Sequence, residues 1–299
     1  MNNRGLLDFI ITRIPHISPV DKISLCTRFT SEADIISLTK ADLEQILGRF
    51  LPKLKWDLDL WIGQAEQDTW TITHRGMNTV SYASPDYPPL LREIYDPPHL
   101  IFYWGQLPDP ERPLVAMVGT RRPASPGAMF AIRVSKEFAD AGVSVVSGLA
   151  LGIDGFSHRG NLSARTIAVL ASGLDELSPA ANKVLARKIL EQGGCIMTEY
   201  PPGTPPHQWR FPTRNRIISG LSRGTLIVEA PERSGALITG RCALEQGRDV
   251  WVAGLYGEPL GEGSRKFANE GARVVSSAYE ILEEWEAKFT VITSLKEEP

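Results

Sequence analysis

From residue 113 onward the chain repeats one pattern: a short apolar run, a stretch of helical periodicity, then another apolar run. The runs fall at 114–118, 143–146, 166–170, 195–198, 225–228, 250–253 and 273–275, with helical stretches such as 128–141, 183–192 and 236–246 between them. A strand with one face in water alternates apolar and polar residues, whereas several of these runs do not, as expected of strands covered on both faces. Buried strands alternating with helices leave few architectures open. The pattern predicts an α/β fold, a doubly wound and mostly parallel sheet with helices on both sides. Ligands of such sheets bind beyond the carboxyl ends of the strands.

The first 70 or so residues differ in texture. Segments 20–29, 32–37 and 40–50 carry apolar residues three and four apart, and Thr39 reads as an N-cap with Asp42 at the third helical position. A small bundle of short helices is expected over 1–71. The run Ile14-Pro15-His16-Ile17-Ser18 leading into a helix resembles the helix-hairpin-helix or SAM-like class, without that class's glycine-bearing hairpin. Both a structural or protein-contact role and a grip on DNA backbone remain open for it. Residues 72–112 are rich in proline and aromatic rings, which argues for a connector packed on the main domain and against a floppy linker. The expected organisation is a helical domain over 1–71, the α/β domain over 72–288 and a tail over 289–299.

Composition narrows the partners. A net charge of −3 means that any nucleic-acid contact must come from a local patch. The cysteines, Cys26, Cys195 and Cys242, lie far apart without CxxC spacing, which argues against a disulfide framework or a zinc site. Asp8 and Arg13 interrupt any signal-like apolar segment, and no run approaches the roughly 20 apolar residues that span a bilayer. A cytoplasmic protein with no membrane contact is expected.

Four loops at the expected strand ends carry unusual residues. After the first comes Gly119-Thr120-Arg121-Arg122-Pro123-Ala124-Ser125-Pro126-Gly127, where Ser125 is placed to cap a helix and Arg121 to join its amides in an anion site. GxGxxG is absent, which argues against a dinucleotide cradle. The second loop holds Gly148, Gly152 and Asp154, and the spacing of Asp154 and His158 reads either as a local hydrogen bond or as an acid–base pair. The third leads past Pro179 and Asn182 to Lys183 at a helix start. The fourth is the most basic. From Tyr200 to Val228 there is no Asp or Glu, yet Arg210, Arg214, Arg216 and Arg223 are present, with Arg214-Asn215-Arg216 placed ahead of a short apolar helix at 217–221. Those arginines either meet a polyanion, for which a guanidinium fork is suited, or pair with carboxylates from elsewhere in the fold. Ser234-Gly235 at a further helix start again favours an anion.

Taken in order, VGTRRPASPG, SGLALGIDGFSH, TIAVLASGLD, FPTRNRIISGLSRGTLIVEAPERSGALITG and GRDVWVAG resemble the DprA/Smf family of DNA-processing proteins over about residues 80–280. The resemblance implies an extended Rossmann fold and a homodimer without a cofactor. It also implies binding and protection of single-stranded DNA and help in loading the recombinase RecA during natural transformation. Arg121 matches the family's DNA-contacting arginine, and Lys183 falls where its DNA-contacting lysine lies. The expected DNA-binding set is Gly119, Thr120, Arg121, Arg122, Ser125, Gly127, Gly148, Gly152, Lys183, Arg214, Asn215 and Arg216. The chain departs from the family pattern at Leu177-Ser178, at Arg159-Gly160-Asn161-Leu162 and at Ala253. A C-terminal winged helix, present in some members, is not expected within this sequence.

The rings of Trp209 and Phe211 are candidates either for stacking on bases or for packing. A homodimer contact is expected within 255–275 through Leu260 and Phe267, with a core role open for Phe267. The rival reading is an enzyme, a Rossmann-like nucleotide N-glycosidase of the lysine-decarboxylase-like type with Glu229 as its carboxylate. Its PGGxGTxxE signature is missing, since 222–225 reads Ser-Arg-Gly-Thr. The expected function is therefore non-enzymatic.

Overall fold

The computed structural model describes residues 6–255 and 261–286. Every apolar run named above forms a strand. The strands are β1 (Asn78–Ser81), β2 (Leu100–Gly105), β3 (Leu114–Val118), β4 (Ser144–Ser147), β5 (Ile167–Val169), β6 (Cys195–Thr198), β7 (Gly224–Ile227), β8 (Asp249–Ala253) and β9 (Arg273–Val275). They join one 9-stranded sheet in the order β1-β2-β6-β5-β4-β3-β7-β8-β9. Pairing is parallel from β6 across to β9, and β1 and β2 add an antiparallel flank.

That flank arises from the proline-rich segment, which does pack on the main domain as expected but also carries strands. Phe102 pairs with Thr198 and Gly105 with Cys195. Between the two strands, Tyr87 is buried and donates to the Pro98 carbonyl at 2.7 Å. Too few residues separate prolines and turns here for a period to show in the sequence.

Helices cover both faces. On one lie α7 (Ser125–Asp140), α8 (Ile153–Gly160), α9 (Lys183–Glu191) and a helix at 278–286; on the other lie α6 (Pro89–Arg92), α10 (Arg210–Gly220), α11 (Gly235–Glu245) and α12 (Glu262–Asn269). Strand β3 shows why both faces must be apolar. Val115 and Met117 face Phe130, Val134 and Phe138 of α7, while Ala116 and Val118 share a cluster with Ile217, Ile218 and Leu221 near α10. The departure at 159–161 is structural. A Cβ on Gly160 would lie 2.4 Å from the Ile132 carbonyl, so α7 and α8 touch there. The buried Asn161 accepts from the Val145 amide at 2.8 Å and donates to the Ser135 and Val143 carbonyls.

The N-terminal helices are α1 (Leu7–Arg13), α2 (Pro19–Arg28), α3 (Glu32–Ile36), α4 (Lys40–Leu47) and α5 (Leu58–His74). Thr39 caps α4 and Asp42 answers it, as the sequence indicates. The long α5 runs through the expected boundary at 71/72, and the tail expected at 289–299 lies outside the described residues. In the turn between α1 and α2, His16 takes φ +61, the left-handed conformation a hairpin glycine would adopt. The helices form their own cluster around Ile10, Leu25, Leu43 and Trp61. They are docked on the sheet through Phe9, whose ring centroid lies 6.3 Å from that of Phe102, and through Arg13, which grips Asp68 and donates to the Pro202 carbonyl at 3.1 Å.

Candidate nucleic-acid interface

The chain runs from β3 outward through β4, β5 and β6, then returns across the sheet to β7. The switch point therefore lies between β3 and β7, where doubly wound sheets open a crevice. A cleft of about 510 Å³ occupies it, lined by the turn after β3, the start of α10 and the start of α11.

The first wall is the Gly119–Arg121 turn, held by backbone on both sides. The Thr120 amide donates to the Glu229 carbonyl at 2.9 Å, and its carbonyl accepts from the Ile153 amide at 3.1 Å. Gly152, at φ +75, makes this approach possible, since a Cβ there would sit 2.3 Å from the Thr120 carbonyl. The turn presents Arg121, which is exposed and lies over the Phe211 ring at 5.2 Å from its centroid. No carboxylate pairs with Arg121 among the described residues. Arg122 is also exposed, and its amide donates to Thr120 Oγ1.

The second wall is the N-terminus of α11. Ser234 caps it, its Oγ accepting from the Ala236 amide at 3.2 Å, and the first turn holds no acid. Arg233, exposed and one residue before the cap, lines the same cleft. The positive end of a helix dipole thus lies in a cleft with two exposed arginines, a setting that favours phosphate oxygens. Arg233 was not in the expected set. An arginine next to the cap in the ERSGALIT string was the signal available for it.

Several expected residues have other work. Helix α10 begins at Arg210, so Arg214-Asn215-Arg216 lies inside it and not ahead of it. All three are buried. The Arg214 guanidinium donates to the Gly148 carbonyl at 3.0 Å and to the Val169 carbonyl, bridging the ends of β4 and β5. Gly148 makes room for it, since a Cβ there would lie 2.4 Å from Nη2. Burial lowers the Arg214 pKa to about 10 against the pull of Asp154, and burial raises that of Asp154. Asn215 accepts from Arg214 Nε at 3.2 Å and donates to the Gly235 carbonyl at 3.2 Å, joining α10 to α11. Arg216 faces away from solvent: its Nε donates to Asp96 at 2.8 Å, and both terminal nitrogens bond Glu199, at 3.2 and 2.7 Å. Carboxylate partners from elsewhere in the fold therefore account for Arg216, and backbone carbonyls for Arg214.

Helix α7 differs too. Ser125 is its first residue and caps nothing; Ala124 is the N-cap. The Ala124 amide donates to the Glu229 carboxylate at 3.2 and 3.1 Å, and a Cβ on Gly127 would meet that carboxylate at 2.2 Å. The chain's own Glu229, at φ +60, fills the anion site expected there. That engagement also occupies the carboxylate on which the enzyme reading relied.

Asp154 and His158 form neither the expected hydrogen bond nor an acid–base pair. Asp154 accepts from the Gly148 and Ala150 amides, at 3.1 and 3.4 Å. His158 Nδ1 lies 2.8 Å from Thr166 Oγ1, which itself donates to the Val145 carbonyl at 2.7 Å. The hydroxyl must then accept from Nδ1–H, leaving a neutral ring whose pKa burial lowers to about 3, with help from Arg214 and Arg159. Lys183 is the exposed first residue of α9, outside the cleft lining. Asn182 beside it donates to the Leu149 and Ala150 carbonyls at 2.9 Å, fixing this helix start to a loop that reaches the cleft. Leu260, expected at a dimer contact, lies outside the described residues. Phe267 is 3 % exposed, and the ring sits under Gly240 in the core, not on a surface.

A doubly wound sheet with a cationic crevice at its switch point, built from a GTRR turn and an SGALIT helix start, places the chain among the Rossmann-like proteins. Within that class the match is specific. The family model for DNA recombination-mediator protein A covers residues 78–286, and the chain belongs to the DprA/Smf family. It is 42% identical to the Bacillus subtilis DNA processing protein DprA over 70% of this chain and 72% of that one. It is 44% identical to the Escherichia coli protein Smf over 66% of this chain, and spans 54% of that relative's length. The crystal structure of Streptococcus pneumoniae DprA superposes with a TM-score of 0.75 at 32% identity, over 94% of this chain and 98% of that one. The Helicobacter pylori DNA processing protein A, solved for its single-stranded DNA binding mode, gives a TM-score of 0.62 at 26% identity, over 71% of this chain and 96% of that one. No helix among the described residues is long and apolar enough to cross a membrane.

Proposed function

We propose that this chain binds single-stranded DNA along the switch-point cleft, protects it, and as a homodimer helps load RecA in natural transformation, without catalysing a reaction. The observation that carries the reading is Arg121, an arginine without a carboxylate partner among the described residues, stacked on Phe211 beside Arg233 and the α11 N-terminus. In a protein of net charge −3, cations left unpaired in a crevice imply an anionic ligand. The cleft's volume is that of a small-ligand pocket, so it takes nucleotides of an unpaired strand and excludes a duplex. The single-stranded DNA bound by the Helicobacter pylori relative supports the same ligand here. Gly119, Thr120 and Gly152 shape the Arg121 turn. Arg122 follows Arg121 as a second exposed cation, and Lys183 is an exposed cation at the start of α9, whose first turn is tied through Asn182 to the 149–150 loop. Gly127, Gly148, Arg214, Asn215 and Arg216 serve the site by holding its walls, while Ser125 begins α7.

Fluorescence anisotropy with labelled oligo-dT and a duplex of equal length tests this. The single strand should bind more tightly, and raising salt from about 50 to 200 mM should weaken binding severalfold or more, because each phosphate contact releases counterions. Equal affinity for duplex, or binding indifferent to salt, would overturn it.

A further inference from the structure

Trp209 is 61% exposed, although its neighbours Gln208 and Phe211 both line the cleft. The indole is not loose. The Arg210 guanidinium lies 4.8 Å from its centroid and 5.2 Å from that of Tyr200, so cation and rings form a stack, and Arg210 also donates to the Pro205 carbonyl. One face of the indole is thus backed by a fixed cation, and much of the remaining ring surface is in water. A large ring held rigid and left wet has lost its side-chain freedom without gaining burial, an arrangement that a ligand completes.

We propose that Trp209 is a base-stacking subsite, which takes a nucleobase of the same strand whose phosphates lie in the cleft. The proposal rests on the cleft being a single-stranded DNA site and adds a contact to it. The occupant follows from the surroundings. From Tyr200 to Val228 there is no acidic residue, and Arg210 stands directly behind the indole, so a cationic partner is repelled and a polyanion attracted. A flat π surface beside phosphate-binding arginines matches the bases of a single strand, which stack on aromatic rings without regard to sequence. Inside a duplex the base faces are already covered by the neighbouring pairs, so the subsite also disfavours duplex.

The test compares labelled oligo-dT with an oligonucleotide of the same length and charge whose central residues are abasic. Wild type should bind the abasic strand about tenfold more weakly, and Trp209→Ala should bind oligo-dT weaker by a similar factor while losing most of that discrimination. Trp209→Phe should restore most of both. Arg121→Ala should weaken binding to both strands by the same factor, because it acts on phosphates. A Trp209→Ala protein that binds oligo-dT like wild type, or keeps full discrimination, sinks the subsite and leaves the cleft reading standing. Failure of wild type to bind either strand removes both.

Discussion

Five arginines from the expected set and its surroundings separate by what surrounds their guanidinium groups. Arg121 and Arg233 are exposed in the cleft, Arg210 is stacked between rings, and Arg214 and Arg216 are buried against carbonyls and carboxylates. The same residue type therefore answers to opposite measurements. Arg121→Ala should weaken single-strand binding by about 1–3 kcal/mol, the range for charge-assisted hydrogen bonds, and leave the thermal midpoint unchanged. Arg216→Ala strands Glu199, which is 11% exposed, and should cost about 3–5 kcal/mol of stability in denaturant titrations. Burial opposes the Arg216 charge, but Glu199 and Asp96 outweigh it and raise its pKa, so the guanidinium keeps its proton. A stable Arg216→Ala protein would show that the Glu199 bond contributes little.

At the level of elements, the loop after β3 is fixed by elements distant in the chain rather than by its own turn chemistry. The Arg121 turn is clamped between Glu229, after β7, and Ile153, at the start of α8. Helix α8 is tied in turn to the residue before β5 by His158 and Thr166. This tie gives a pH signature. The unfolded chain protonates His158 near 6.5, whereas the folded chain refuses the proton until about 3. Between those values the unfolded state binds more protons, so stability should fall as pH drops from about 6.5 towards 3. His99 is lowered in the same sense by burial and by Lys22, so some slope persists without His158. Denaturant titrations at pH 4, 5 and 7 should show a shallower decline for His158→Leu than for wild type. Parallel curves would mean that His158 is not held neutral.

For the whole molecule, the docking of α1–α5 joins two clusters into one body. Lys22 is half-buried there, donating to the Thr12 carbonyl at 2.6 Å; desolvation lowers its pKa to about 8, with Glu199 pulling the other way. Association belongs to this scale. Light scattering at tens of micromolar should return twice the 33.0 kDa of one chain, and a strictly monomeric protein with normal DNA binding would remove the dimer alone. Phe267→Glu is no test of the contact, since that ring is in the core. The sequence by itself determined the sheet from β3 to β9 and the helices on its two faces, because strands covered on both sides leave continuous apolar runs. It also determined the α4 cap and the Gly119–Arg121 turn, since their cues lie within a few residues. Tertiary structure alone decided which arginines are free. Asp96 and Glu199 reach Arg216 from other elements, and the Gly148 and Val169 carbonyls reach Arg214 across the sheet. It alone sent Glu229 to the start of α7, placed Phe267 in the core and added β1 and β2 as an antiparallel flank. Each of those outcomes depends on contacts between residues far apart in the chain, and a local pattern carries no record of them.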